Sequence, residues 1–370
     1  MPGYECRFYH RLLYSASQNR DHTMNAVFHI NPLTDPRWPD FLERQPRASV
    51  FHTPEWLGPL HATYGYLPLA YTTSPPHVPL KNGWVFCEVR SWLTGRRLVS
   101  LPFSDHCDPL ADDPAALEDI AHTLQEERQR KNWDYIEFRP QSPALGNISG
   151  FELRQRFYLH KLDLRPTLDQ IFRKLSEDSI QRKIRRAERD GLGYEEGGPE
   201  TLLDRFYMLL CRTRQRHGVP PQPRKWFTNL FSSFRNRAII RLASKDGKPV
   251  GALLTIRFKN TLIYKYSCGE PEYFKHGTMQ FLLWRAIQDA KARGMEELDF
   301  GRSDFGDDGL MLYKERWGAV RSETGYFQCY PLHPARHRFF GTLRSRLGMP
   351  SYVPQGVLAV AGRLLYRHFG

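Results

Sequence analysis

The sequence has little of what usually marks a metal or redox site. Its six cysteines, at positions 6, 87, 107, 211, 268 and 329, form no CxxC pair. A disulfide framework and a zinc ribbon are therefore not expected, and reduced thiols are. The nearest approach to a metal cluster is Asp105, His106, Cys107 and Asp108. Adjacent side chains point in different directions and no second ligand pair stands at metal spacing, so no metal site is expected. No window approaches the roughly 18 apolar residues of a spanning helix. The stretch 1–23 lacks the apolar run of a signal peptide. Residues 1–25 are expected to form a poorly ordered extension, with Met24 an alternative start. Acids are scarce too: 40 against 53 bases, a net charge of +13. That favours an anionic partner (nucleic acid, a phosphorylated ligand or an anionic membrane) over the plainer alternative of a basic surface kept for solubility.

The length of 370 residues fits two domains of about 150 each. In the second half AIIRLA (238–243), PVGALLTIRF (249–258) and TLIYKYSC (261–268) read as strands rich in branched and aromatic residues. KDGK (245–248) is a hairpin turn whose Asp-Gly supplies positive φ. A helix is expected over 279–294, stopped by Gly294. MEELDF (295–300) and ETGYFQCY (323–330) are the next strands, the last closing the sheet. The first half repeats the order: strands at 84–90 and 96–103, a helix over 113–131, a strand at 133–139 and an extended stretch at 151–164. A strand–helix–strand step implies a parallel crossover, so the expected fold is α/β with mixed sheets, built twice. Between the halves, residues 176–190 read as a helix with an apolar stripe of Ile180, Ile184 and Ala187 among arginines. Residues 331–370 form a basic amphipathic tail, expected to dock on the fold rather than lie on anionic lipid.

Five blocks carry a resemblance: FHTPEWLGPLHATYGY (51–66), SLPFSDHCDPL (100–110), SIQRKIRRAERDGL (179–192), TRQRHGVPPQP (213–223) and DFGRSDFGDDGLMLYKERWGA (299–319). In this order they resemble the Fem-type branch of the GNAT acyltransferases. That resemblance implies two tandem GNAT-like domains, a degenerate one over 26–165 and a more complete one over 166–330. It implies transfer of an acyl or aminoacyl group to an amine, or a hydroxyl, of a cell-envelope or exopolysaccharide precursor. An aminoacyl-tRNA-dependent peptidyltransferase acting on a peptidoglycan precursor is the alternative within the enzymes; a basic, non-catalytic scaffold is the alternative outside them. No tightly bound cofactor is implied, and acyl-CoA and aminoacyl-tRNA are the candidate co-substrates. The expected partners are an anionic or lipid-linked substrate, tRNA and a peripheral membrane contact, and the expected location is cytoplasmic, at the inner membrane face. Two departures stand out. The place of the Gly-rich pyrophosphate loop holds PEYFKHGT, and no long coiled-coil arm separates the halves.

Acyl transfer needs a polarised carbonyl, a neutral amine and close positioning. TLIYKYSC would be the splayed strand that offers backbone N–H groups. His276, Gly277 and Thr278, at the following helix start, are candidates for the donor's phosphate. Asp299, His217 and Asp105 are the candidate bases, with Asp304 also in view. Arg302 and Lys314 are expected to hold an acceptor anion, Gly301 to let the chain turn, and Ser303, Phe305 and Trp317 to stand at or wall the pocket. Asp307 or Asp308 would cap the next helix. Arg214 and Arg216 are candidates for the acceptor channel, and Arg182, Lys183 and Arg186 for an anionic partner. For each, the plainer alternative is a structural role: a turn, a cap or a solvated basic face.

Overall fold

The computed structural model describes residues 25–330 and 355–368. The extension expected over 1–25 lies almost wholly outside them, as does the tail before residue 355. The strands are β1 (Phe28–Ile30), β2 (Leu67–Thr72), β3 (Trp84–Ser91), β4 (Gly95–Ser100), β5 (Tyr135–Phe138), β6 (Glu152–Asp163), β7 (Gly193–Gly197), β8 (Ala238–Lys245), β9 (Lys248–Phe258), β10 (Thr261–Gly269), β11 (Glu297–Asp304) and β12 (Val320–Cys329). The helices are α1 (Arg37–Arg44), α2 (Pro54–Tyr64), α3 (Pro114–Lys131), α4 (Leu168–Lys174), α5 (Arg182–Arg189), α6 (Pro199–Arg216), α7 (Arg224–Phe234), α8 (Thr278–Ala292), α9 (Asp308–Glu315) and α10 (Gln355–Leu365).

All twelve strands join one sheet in the order β1-β2-β3-β4-β5-β12-β6-β11-β10-β9-β8-β7. The order is a palindrome of two halves. In each, the fourth and fifth strands run parallel, β4 with β5 and β10 with β11. The sixth strand of each half is exchanged: β12 pairs with β5, β6 pairs with β11, and β6 and β12 pair with each other. ETGYFQCY therefore does not close the sheet but lies at its centre. Hydrophobic alternation shows that a stretch is a strand and not which neighbour it takes.

Local chemistry sets the elements. Asp246 and Gly247 both have positive φ, 51° and 74°, and turn β8 into β9. Asp113 and Asp307 cap α3 and α9 by accepting N–H groups of Ala115 and Leu310. The helix between the halves begins as a π-helical turn, Glu177–Gln181, and Ser176 gives no side-chain cap there. One face of the sheet is covered jointly by helices of both halves. Trp56 of α2 meets Trp226 of α7 edge to face, rings 5.4 Å apart, and both are fully buried. The halves thus share a core, and anything built where they meet is held by both.

Candidate active site

β10 and β11 are hydrogen-bonded only from Thr261 opposite Glu297 to Ile263 opposite Asp299. Beyond that point both strands leave register. β10 shifts against β9 between Tyr264 and Tyr266, leaving Lys265 at the irregularity. β11 shifts against β6 between Asp299 and Arg302, so that Phe300 and Gly301 together face His160. Such a bulge bends the strand and re-aims its side chains. It needs a residue tolerant of positive φ, and Gly301 has φ 68°.

The loop following β4 in the first half spans this divergence. Lys265 Nζ donates to Asp105 Oδ2 at 2.8 Å and to the Phe103 carbonyl at 3.0 Å. The Asp105 carboxylate packs on Gly301 so closely that a Cβ there would stand 3.0 Å from its Cγ. Next along the loop, His106 Nε2 lies 2.9 Å from Asp299 Oδ2, and Asp299 Oδ1 accepts the Gly301 N–H at 2.7 Å. From α9, Lys314 Nζ donates to the carbonyls of Gly301 and Arg302 at 2.9 and 3.0 Å. Arg302 lies over Phe157 at 4.2 Å and over Tyr326 at 5.3 Å, and Arg139 approaches the same Tyr326 ring at 4.4 Å. The post-helix strand of each half therefore delivers an arginine to one ring on β12.

The electrostatics follow from burial and pairing. Burial pushes the Asp299 carboxyl up, but the His106 hydrogen bond and charge, Lys161 and the Gly301 N–H together hold it down at about 2. An ionised Asp299 can only accept, so His106 carries a proton on Nε2, and in the neutral ring the lone pair is then on Nδ1. That Nδ1 is buried and has no hydrogen-bond partner. Burial also raises the Asp105 carboxyl, and the Lys265 charge beside it overcomes this and holds it low. Lys314 is brought down to about 8, because burial outweighs the pull of Asp105, Asp299 and Asp307. His160, opposite the bulge, is fully buried with no hydrogen bond to either ring nitrogen, Nε2 standing 3.9 Å from Glu315; burial, then Lys314 and Arg321, lower it to about 4. A cleft of about 430 Å³ opens beside this cluster, with Phe51, His106, Lys161, Ile263 and Asp299 on its walls.

Of the residues singled out in the sequence, Asp105, Asp299, Gly301, Arg302 and Lys314 come together. Ser303 follows on β11, its Oγ buried and without a partner. Trp317 does not wall a pocket: it is fully buried in the core under α8, beside Tyr313. Its spacing from Lys314 puts both on the inner side of the same chain turn, where the larger ring is core. Phe305 is exposed and stacks on Tyr158 at 4.2 Å. Lys314 uses two of its donors on backbone carbonyls and is 3% exposed, so it braces the bulge rather than waiting for an anion.

His217, Arg214 and Arg216 lie at the end of α6 instead. His217 is exposed, and Arg216 donates to the Gly269 carbonyl at 2.6 Å. Neither makes a hydrogen bond to the β11 cluster among the described residues. At the start of α8, His276 Nδ1 lies 2.6 Å from Asp190, and buried Thr278 donates to the Tyr273 carbonyl. The Lys183 carbonyl approaches Gly277 so closely that a Cβ there would stand 2.1 Å from it. On α5, Arg182 pairs with Asp178 and Arg186 with Asp190, and Lys183 is part-buried. Sequence reasoning passed over His106, Lys265 and His160. Lys265 carries a signal in the sequence, a lone cation inside an apolar strand; for His106 the sequence offers only a metal-ligand reading.

Residues 174–315 match the family described as acetyltransferase (GNAT) domain. A curated UDP-N-acetylmuramoylpentapeptide-lysine N(6)-alanyltransferase from Weissella viridescens is 26% identical over 157 residues, 41% of this chain and 44% of that protein. The match thus spans less than half of that relative's length. The crystal structure of FemX is similar with a TM-score of 0.66 and 14% identity, over 83% of this chain and 97% of that one. A tandem GNAT protein from the clavulanic acid biosynthesis pathway gives 0.53 and 12%, over 82% and 98%. The structure of L-PGS from Bacillus licheniformis gives 0.51 and 17%, over 71% and 85%. At these identities the structural likenesses establish the fold, two tandem GNAT-like domains.

Proposed function

For a chain with a GNAT acetyltransferase domain set in a Fem-like tandem fold, we propose acyl or aminoacyl transfer to an amine of a cell-envelope or exopolysaccharide precursor. The observation that carries the reading is the imidazole of His106, held against an ionised Asp299 on the cleft wall where β10 and β11 part. The base is then His106 rather than Asp299, Asp105 or His217. Its Nδ1 lone pair takes a proton from the acceptor ammonium, which frees the amine to attack, or from the amine as it attacks, and the adjacent carboxylate stabilises the imidazolium that forms. Asp299 and Lys314 act by position: one holds the tautomer, the other holds the bulge. Arg302, a cation spread over two aromatic faces, is the group offered to an anionic acceptor. The cytoplasmic inner face of the membrane is where such a precursor is met.

The donor is read from the start of α8. That helix start has no side-chain cap, which leaves its first-turn N–H groups for a coenzyme A pyrophosphate, and the GNAT domain match supports acyl-CoA as the donor. An aminoacyl-tRNA donor, with Arg182 and Arg186 of α5 as contacts for its backbone, is the alternative. Thermal-shift titration with acetyl-CoA, charged tRNA and nucleotide-linked sugars tests the choice. A bound donor at a hundredfold excess over its Kd stabilises by about 2.7 kcal/mol. Transfer that survives ribonuclease excludes tRNA. His106→Asn should lower the transfer rate by about 100-fold or more; an unchanged rate removes His106 from the chemistry. Should no donor bind and Arg302→Ala leave cellular function intact while loss of the tail does not, the scaffold alternative is favoured.

A further inference from the structure

A tryptophan left in water is uncommon, because its ring carries one of the largest apolar areas of any side chain. Trp92, on the β3–β4 hairpin, is 83% exposed. Its ring stands 5.3 Å from that of His368, at the end of the turn following α10. This last segment is fastened to both halves. Thr94 and Arg97 donate to the His368 carbonyl at 2.7 and 2.8 Å, and Ser91 Oγ lies 2.8 Å from His368 Nδ1. The Tyr66 hydroxyl donates to the Tyr366 carbonyl at 2.9 Å, and the Tyr366 hydroxyl to the Pro220 carbonyl at 3.0 Å. The Tyr366 ring lies 5.8 Å from Phe103, two residues before Asp105. The described part of the tail, 355–368, is therefore docked, with Tyr366 near the loop that builds the site.

Its outer face has a different character. Val360 and Leu364 are 55% and 61% exposed. They stand four apart, on one side of the helix. Arg363 and Arg367 beside them are exposed too. Trp92 lies between Arg90 and Arg96 on its hairpin, although both of these pair with Glu88. The stretch 331–370 holds six arginines and no Asp or Glu. No helix among the described residues is long and apolar enough to cross a membrane. Large apolar side chains set among arginines suit a surface that enters the headgroup region without spanning. The sign of the charge selects the occupant. A second copy of a chain with net charge +13 would be repelled, whereas an anionic leaflet attracts it.

We propose that Trp92 and the outward face of α10 form one membrane-contact surface for an anionic lipid bilayer, seating the site beside the leaflet. What this implies for a lipid-linked acceptor rests on the proposed function; the surface itself does not. Vesicle flotation of the full chain tests it, with phosphatidylcholine alone and with about 30% phosphatidylglycerol added. Binding is expected to the anionic vesicles only and to weaken as salt is raised. Arg363→Ala and Arg367→Ala should each weaken it by about fivefold. Trp92→Ala and Leu364→Asn should weaken it further, with melting curves unchanged because all four side chains are exposed. Equal binding to neutral vesicles, variants that bind like the parent, or self-association lost in the same variants would each overturn the proposal. Transfer activity is not read in this assay, so its result stands apart from the fate of the enzyme reading.

Discussion

Asp299→Asn replaces one carboxylate oxygen by an NH2 group and leaves the shape of the side chain. In the parent, the ionised group accepts from Gly301 N–H at 2.7 Å and faces His106 Nε2 at 2.9 Å, at 3% exposure. Its folded pKa of about 2, against an ordinary 3.8, corresponds to about 2 kcal/mol of stability at neutral pH. The sign follows from the depression. The contribution is complete above the unfolded value and is lost as pH falls through about 2. Urea unfolding should therefore show the variant less stable by about 2 kcal/mol at neutral pH. The gap should begin to close below the unfolded value of 3.8. A second readout concerns the ring. The Asn oxygen satisfies Gly301, so its NH2 faces His106 Nε2, which must then accept, and the ring proton moves to Nδ1. Nitrogen-15 NMR of the His106 ring, assigned with His106→Asn, distinguishes the two tautomers. A parent ring already protonated on Nδ1, or a variant as stable as the parent at neutral pH, would refute the reasoning.

Gly301→Ala should cost more than Gly294→Ala, although their φ values, 68° and 73°, are alike. A Cβ at Gly301 meets Asp105 at 3.0 Å and one at Gly294 meets nothing. About 1 kcal/mol is therefore expected at Gly294, and about 1–2 kcal/mol more at Gly301, in thermal melts. Lys265→Met strands the Asp105 charge and should destabilise by about 3 kcal/mol, with Lys265→Met/Asp105→Asn regaining most of it in a double-mutant cycle. His52, fully buried, has its pKa pushed down to about 4 by burial, despite the Asp108 carbonyl. The unfolded chain binds this proton at 6.5 and the folded chain only near 4. Stability should therefore drop by about 3 kcal/mol as pH falls through that window. His160 acts in the same direction. His52→Gln should flatten the pH dependence of urea midpoints.

Much of the fold was legible because its signals are local. The Asp-Gly turn, the Asp cap of α9 and the stop at Gly294 depend on residues a few positions apart. The helix expected over 279–294 is α8, and the strands flanking it are β10 and β11. The candidate site was legible only where the chain is continuous. Residues 299–303 and Lys314 share one strand and the helix after it. The partners of Asp299 and Gly301 were not recoverable in the same way. His106 and Asp105 are brought by a loop of the other half, 193 positions from Asp299 in the case of His106. Trp317 and Lys314 were misjudged for one reason. A side chain three positions from a functional candidate has the spacing of a neighbour whether it faces a ligand or the core.

By itself the sequence determined the strands β3 to β6 and β8 to β12, the helices α3, α5, α8 and α9, and their doubling, because propensity, periodicity and turn chemistry act over a few residues; β1, β2, β7, α1, α2, α4, α6 and α7 came only with the structure. It also determined the cationic character of the chain and of its tail, since charge is additive and needs no geometry. Only the tertiary structure decided that the sixth strands change places, that the Lys183 carbonyl closes on the start of α8, and that His106 comes to rest against Asp299. Those outcomes depend on which surfaces exclude water against one another, and that is settled between segments far apart in the chain, after each has already taken its local form.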